Sequence, residues 1–268
     1  MKTYMLLFAV ACSLLTSCKP AVQQAAVAAP EPEPAIAACS FTMGIDAWEP
    51  YQYMTVGNTV AGLDVELVQN ITTGMGCTLD VVQGSWLELL TLLREGKVDF
   101  VLGASKTEDR QRFAYFSEPY RQERFQLYVR KEDVNLPFTD LRSFITAGNK
   151  VGVVNEYYYG AEVSDLYADD SLRSNFVGAI ISELNMARLL DDEIDGLLED
   201  SFVGASILRR KGLDKYIQPH SISLGASDVY VMFSQASVSA EQVGQFNTGL
   251  AQLRESGAYN QIVDKYRN

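Results

Sequence analysis

An alternation of short apolar runs with amphipathic ones most narrows what this chain can fold into. FTMGI is followed by Leu63, Val65, Leu67, Val68 and Ile71 at the spacing of one helix face. TLDVV is followed by Ser85-Trp86-Leu87-Glu88, a capping box that opens the helix WLELLTLLREG; Gly96 closes it, and VDFVL reads as a buried strand. A β-α-β-α-β run of this kind predicts a right-handed parallel sheet with helices on its faces. A second run follows with RFQLYVRK, KVGVVN, a helix around Ala161 to Tyr167, NFVGAI, a helix near Glu183 to Leu190, and IDGLLED. The chain closes with VYVMFS and a helix capped by Ser239-Ala240-Glu241-Gln242, with Val243, Phe246, Leu250 and Leu253 on one face. Two α/β units with a long C-terminal return imply two lobes and a cleft between them.

The N-terminal residues speak to compartment. MKTYMLLFAVACSLLTSC has one Lys near its start, about a dozen apolar residues and small residues before Cys18, which suits a secretory leader and is too short to span a bilayer. Leu15-Thr16-Ser17-Cys18 resembles a lipobox, in which the cysteine is lipidated; the alternative is an ordinary cleaved leader in which Cys18 is incidental. Residues 1–17 are thus expected to be a signal peptide. Residues 18–38 are expected to be a lipidated Cys and a Pro/Ala-rich tether, with no periodic apolar face and four prolines. The folded body should begin near Cys39 and sit in the periplasm, anchored to the inner or the outer membrane. Outside the cytoplasm the pair Cys39 and Cys77 favours a disulfide, each preceding a strand; the alternative is two separate buried thiols. Without CxxC or a Cys/His cluster no metal site is expected. A net charge of −12, from 22 basic and 34 acidic residues, argues against nucleic acid and against an anionic lipid surface held by charge.

DAWEPYQY, AGLDVELV, SWLELLTLLREGKVDFVLGASKTEDRQRFAYFSEPY and LAQLRESGAYNQIVDKY resemble the type II periplasmic solute-binding proteins, family 3, the branch that binds amino acids for ABC importers. The resemblance spans Phe41 to Tyr266 and is densest from Gly84 to Tyr120. It implies a two-lobed α/β fold of the periplasmic-binding-protein type II, each lobe a mostly parallel sheet flanked by helices. Lobe 1 would comprise residues 41–122 and 229–268, and lobe 2, inserted, residues 123–228. Hinges are expected near Arg121 to Glu123 and just before Val229, with a ligand enclosed by closure of the lobes. It also implies a monomer without a cofactor, binding an amino acid or related amine, partnered by an ABC permease.

The resemblance assigns roles residue by residue. Gly103 would offer backbone, Ser105 its hydroxyl and amide, and Arg110 a bidentate guanidinium to a ligand carboxylate, with Thr107 starting a short helix. Read alone, Arg110 could equally pair with Glu108 or Glu118 on the surface. Asp200 would receive a ligand ammonium; as an N-cap for the helix from Ser201 it has a second role that can coexist. Trp48 and Trp86 would wall the pocket, or be core, and Tyr51 would pack beneath it.

One stretch departs from the family. Where many amino-acid binders carry a Gly-Thr pair, this chain has Glu156 and Tyr157, within NEYYYG. A bulky acidic and aromatic pair cannot make the same small cradle, and Glu156 would repel a carboxylate. With Asp200 and Glu156 both at the cleft, two anionic groups and aromatic rings would favour a ligand with an additional cationic group. The alternative is that Glu156 points to solvent while the tyrosines cover a helix. Enzyme readings find less support: His220, in the loop QPHSIS, is the only histidine, and Asp191, Glu193, Asp195 and Gly196 start an EF-hand-like run whose twelfth position is Phe202. A few relatives of this fold are dehydratases such as cyclohexadienyl dehydratase, in which Glu156 or Asp200 would act as the acid. A sensory ligand-binding lipoprotein is a further reading.

Overall fold

The order of elements follows from that alternation. The computed structural model describes residues 39–266. From the N-terminus these are β1 (Cys39–Ile45), β2 (Tyr53–Met54), β3 (Val60–Ala61), α1 (Leu63–Gly74), β4 (Cys77–Gln83), α2 (Trp86–Arg94), β5 (Phe100–Ala104), α3 (Glu108–Gln111), β6 (Ala114–Phe116) and β7 (Arg121–Arg130). Then come α4 (Leu141–Thr146), β8 (Val151–Val154), α5 (Ala161–Ala168), β9 (Phe176–Ala179), α6 (Ser182–Leu190), β10 (Gly196–Asp200), α7 (Ser201–Lys211), β11 (Ile217–Ser234), α8 (Ala240–Glu255) and α9 (Ala258–Tyr266). The expected leader, the lipidated Cys18 and the tether lie outside the described residues. Among the described residues no helix is long and apolar enough to cross a membrane.

The fold is mixed α/β. Strands run in the order β4-β1-β5-β11-β7-β10-β8-β9, with β6 also on β11. β4, β1 and β5 are parallel to one another, as are β10, β8 and β9. The two parallel sets are joined by antiparallel β11 and β7. β11 pairs with β7 from Ile217 to Val229 and with β5 and β6 from Tyr230 onward, so one continuous strand serves both sets.

β1 and β4 lie side by side with Cys39 opposite Cys77, and the two sulfurs are bonded across a Cα–Cα distance of 4.6 Å. Within β1, Phe41, Met43 and Ile45 are buried, and Phe41 meets Phe100, which meets Phe233, which meets Phe246 of α8. α2 and α8 each begin with a complete capping box, Ser85 with Glu88 and Ser239 with Gln242. α1 turns Leu63, Val65, Leu67, Val68 and Ile71 inward, as their spacing predicts.

One expectation is corrected. The segment QPHSIS is the first half of β11, not a loop. His220 is buried there, its Nε2 against the Leu136 carbonyl at 3.0 Å and its Nδ1 accepting from the Ile222 N–H. The acidic turn Asp191 to Gly196 is organised by Arg130, whose guanidinium meets Asp192, Asp195 and the Leu189 and Ile194 carbonyls. Among the described residues no cluster of His, Cys, Asp or Glu is placed to hold a metal ion.

The disulfide closes a separation of 38 residues. Reduction of the Cys39–Cys77 bond, or Cys77→Ser, is expected to lower the unfolding free energy by about 4 kcal/mol through release of loop-closure entropy in the unfolded chain. Urea denaturation with and without reductant measures it; a change under 1 kcal/mol contradicts the expectation.

Candidate functional site

The site forms where the carboxyl ends of β1 and β5 face the segment after β8. Asp46, Trp48, Gln52, Trp86, Leu102, Gly103, Ser105, Arg110, Glu123, Phe125, Tyr157 and Tyr158 surround a cavity of about 20 Å³. That is room for about one water molecule. Of the eight residues predicted for ligand binding, Trp48, Trp86, Gly103, Ser105, Arg110 and Tyr157 line the cavity; Glu156 and Asp200 do not.

Trp48 follows β1 and is buried, its indole N–H donating to Glu199 Oε1 at 3.2 Å. Gly103, at the end of β5, has φ of +70°, and a Cβ there would stand 3.0 Å from the Trp48 ring. Glycine is required at this position both for its backbone and for that close approach. Trp86 opens α2, so the capping box that starts the helix also fixes the ring at the cavity wall.

Arg110 sits on α3, whose first turn is capped by Thr107. Its Nη1 donates to the Ser105 carbonyl at 2.9 Å and its Nη2 to the Glu156 carbonyl at 2.7 Å, while the guanidinium lies 5.3 Å over the Trp86 ring. Burial pushes Arg110 down to about 10, against the opposing pull of Glu123 and Glu156. Arg110 is buried inside the site and has neither Glu108 nor Glu118 as an ion-pair partner.

Glu156 enters through its main chain. Its side chain is exposed, while its carbonyl accepts from both Arg110 and the Trp86 indole N–H, the latter at 3.1 Å. Its φ of +63° is the left-handed region, disfavoured for a non-glycine residue by about 1–2 kcal/mol. Tyr157 then stands edge-on to both Trp48 and Trp86, each ring 6.0 Å away, and donates its phenol to Asp46 Oδ2 at 2.8 Å. Tyr159 is core: it packs on Phe125 at 4.6 Å, and its phenol oxygen accepts the Val154 N–H.

Asp200 caps α7. Its Oδ1 accepts the Phe202 and Val203 N–H groups and its Oδ2 accepts from Arg124, so three backbone donors hold this carboxylate. The acids at the cavity are ones the sequence reading did not single out. Asp46 presents an Oδ1 with no hydrogen-bond partner, and Glu123 accepts from Ser105 at 3.1 Å and from Ser227. Glu199 lies behind Trp48. Their positions carried a faint signal: Asp46 lies two residues before Trp48, and Glu199 adjoins Asp200 in a strand buried along its whole length.

Burial raises Asp46 to about 6, against the Tyr157 hydrogen bond; it raises Glu123 to about 7, against the charge of Arg121, and Glu199 to about 7, against hydrogen bonds from Ser182 and Trp48. Unfolded carboxyls titrate near pH 4. These groups therefore bind protons more tightly in the folded state, and the stability they contribute is full below about pH 4 and lost as pH rises through 6 to 7. The melting temperature of the ligand-free protein is expected to fall between pH 5 and pH 8, and Glu123→Gln to fall less over the same interval. Calorimetry at several pH values measures this, and parallel profiles contradict it.

With this geometry in place, comparison with known proteins gives a clear affiliation. Residues 41–268 match the bacterial extracellular solute-binding proteins, family 3. The chain belongs to this family. It is similar to a probable histidine-binding protein of Neisseria gonorrhoeae, 28% identical over 224 residues, covering 81% of this chain and 78% of that protein. It is also similar to the arginine-binding extracellular protein ArtP of Bacillus subtilis, 24% identical over 227 residues and 84% of each chain. Among solved structures, a histidine kinase sensor domain with similarity to periplasmic binding proteins superposes with a TM-score of 0.74, at 24% identity, covering 85% of this chain and 95% of that one. Similarity to the cyclohexadienyl dehydratase of Pseudomonas aeruginosa is confined to 74 residues, 27% of this chain, at 36% identity. The relatives matched along most of the chain are binding proteins by name, not enzymes.

Proposed function

We propose that this family member encloses an amino acid or related amine carrying net positive charge, and delivers it to an ABC permease. The carrying observation is the charge balance at the cavity, where Asp46 and Glu123 face a single arginine, Arg110, between the aromatic walls of Trp48 and Trp86. A buried carboxylate with an unpartnered oxygen favours a cation, and an aromatic face adds attraction for it. In this reading Arg110 takes the ligand carboxylate, with Gly103 and Ser105 beside it. Asp46 and Glu123 take the cationic groups. Asp200, already held by three N–H groups, orients the start of α7 instead of meeting the ligand. Relatives whose names specify arginine and histidine support the same class.

Residues 41–122 with 229–268, and residues 123–228, would form the lobes, closing as a monomer about the paired strands β7 and β11, near Arg121 to Glu123 and just before Val229. Cys18 would carry a lipid anchor that holds the protein at the periplasmic face of a membrane.

Isothermal titration against L-arginine, L-lysine, L-histidine, L-glutamate and L-aspartate tests the ligand class. The basic amino acids are expected to bind, and Asp46→Asn to weaken arginine binding about 10- to 100-fold, the range for a hydrogen bond to a charged group. Preference for glutamate or aspartate overturns the reading.

A further inference from the structure

The segment Asn155 to Gly160 makes the contacts that a ligand would make. Its Glu156 carbonyl accepts from Arg110 Nη2 at 2.7 Å and from the Trp86 indole N–H at 3.1 Å, two convergent donors on one oxygen. Its Tyr157 ring fills the gap between Trp48 and Trp86, and the phenol engages Asp46. An anion-type acceptor on the arginine, an apolar body between two tryptophans and a hydrogen-bond donor on the carboxylate are together the pattern of a bound amino acid, supplied here by the chain.

The segment is built as a strap. Its first residue is fixed by the Asn155 N–H to the Ala179 carbonyl, and the Asn155 side chain lies over Gly178, where a Cβ would stand 2.2 Å from Asn155 Oδ1. Its far end is Gly160, with φ of +101° and open space where a Cβ would stand, after which α5 begins. Glu156 and Gly160 thus bracket the tyrosines with two left-handed residues, where backbone rotation changes direction. On its outer side the strap faces an open groove of about 800 Å³. Arg110, Tyr157 and Tyr158 line both that groove and the cavity, and Glu156 lines the groove. The strap is the partition between them.

We propose that residues 155–160 are an internal ligand of the site, and that solute binding is an exchange in which the solute takes Arg110 and Trp86 from the Glu156 carbonyl and Asp46 from the Tyr157 phenol. Tyr157 is then a specificity-determining residue. A solute displaces the strap only if it replaces both contacts: with the carboxylate on Arg110 and the α-ammonium on Glu123, an amino acid with a second cationic group also replaces the contact on Asp46, where a neutral one leaves Asp46 unpartnered. The exchange deepens the binding reading above and rests on it for the identity of the solute, not for the contacts in the ligand-free protein.

The chain contains two tryptophans, so the indole N–H region of a ¹⁵N spectrum of the purified full chain holds one signal for Trp48 and one for Trp86. In ligand-free protein the Trp86 indole N–H is expected to be protected from hydrogen exchange, and to shift on adding L-arginine as its acceptor changes. Tyr157→Phe keeps the ring and removes only the bond to Asp46; it is expected to bind L-arginine about 3- to 10-fold tighter than wild type, with a smaller gain for L-glutamine. A Trp86 N–H that exchanges freely in ligand-free wild type overturns the proposal without reference to any solute. Unchanged or weaker arginine binding by Tyr157→Phe also overturns it, because the phenol then serves the ligand-bound state. A protected Trp86 N–H in a protein that binds none of the basic amino acids supports the internal ligand and overturns the solute assignment instead.

Discussion

The site depends on a buried ion pair between Asp64 and Arg121. Arg121 begins β7, and its Nε and Nη2 meet the two oxygens of Asp64, the second residue of α1, at 2.8 and 2.9 Å. The pair is almost wholly out of water, so removing either partner strands a charge, a defect of about 3–5 kcal/mol. Tyr120 donates to the same carboxylate and accepts the Gly103 N–H, and Arg121 stacks on Tyr51 at 3.6 Å and reaches over Trp48. One carboxylate therefore fixes the start of β7, the end of β5 and the aromatic corner after β1. Those are the three places from which Glu123, Gly103 and Trp48 reach the cavity.

What could be read from the sequence was what is local. Helix starts were legible because Ser85 with Glu88, and Ser239 with Gln242, satisfy their own N–H groups within one turn. A strand buried along most of its length, such as β5, is a continuous apolar run, FVLGA. The first half of β11 was missed because its buried residues alternate with exposed polar and small ones, HSISLGASD, and only pairing with β7 makes it a strand. Trp48, Trp86, Ser105 and Arg110 came from resemblance and gather at one cavity. Asp46, Glu123 and Glu199 were not legible because a carboxylate reads as surface until its neighbours in space are known. Glu156 illustrates a different limit. Its side-chain charge drew attention, yet its carbonyl makes the contacts, and a carbonyl is the same at every position of a sequence.

The acids and the rings serve one balance. The small cavity leaves Asp46 and Glu123 poorly solvated, as Glu199 is behind Trp48, and burial raises all three. At Asp46 a proton and the Tyr157 phenol can each relieve that penalty, and the aromatic walls keep water from doing so.

The Cys39–Cys77 bond has a mechanical consequence. It lies at the amino ends of β1 and β4, with β4 at the sheet edge, whereas Asp46 and Trp48 follow the carboxyl end of β1. A pull reaching Cys39 from the residues before it divides at once between two hydrogen-bonded strands instead of peeling one away. The seven residues of β1 then stand between the loaded point and the cleft, about 20 Å of strand. Tension applied at Cys39 would be borne by the sheet edge, at the end of β1 away from the cavity.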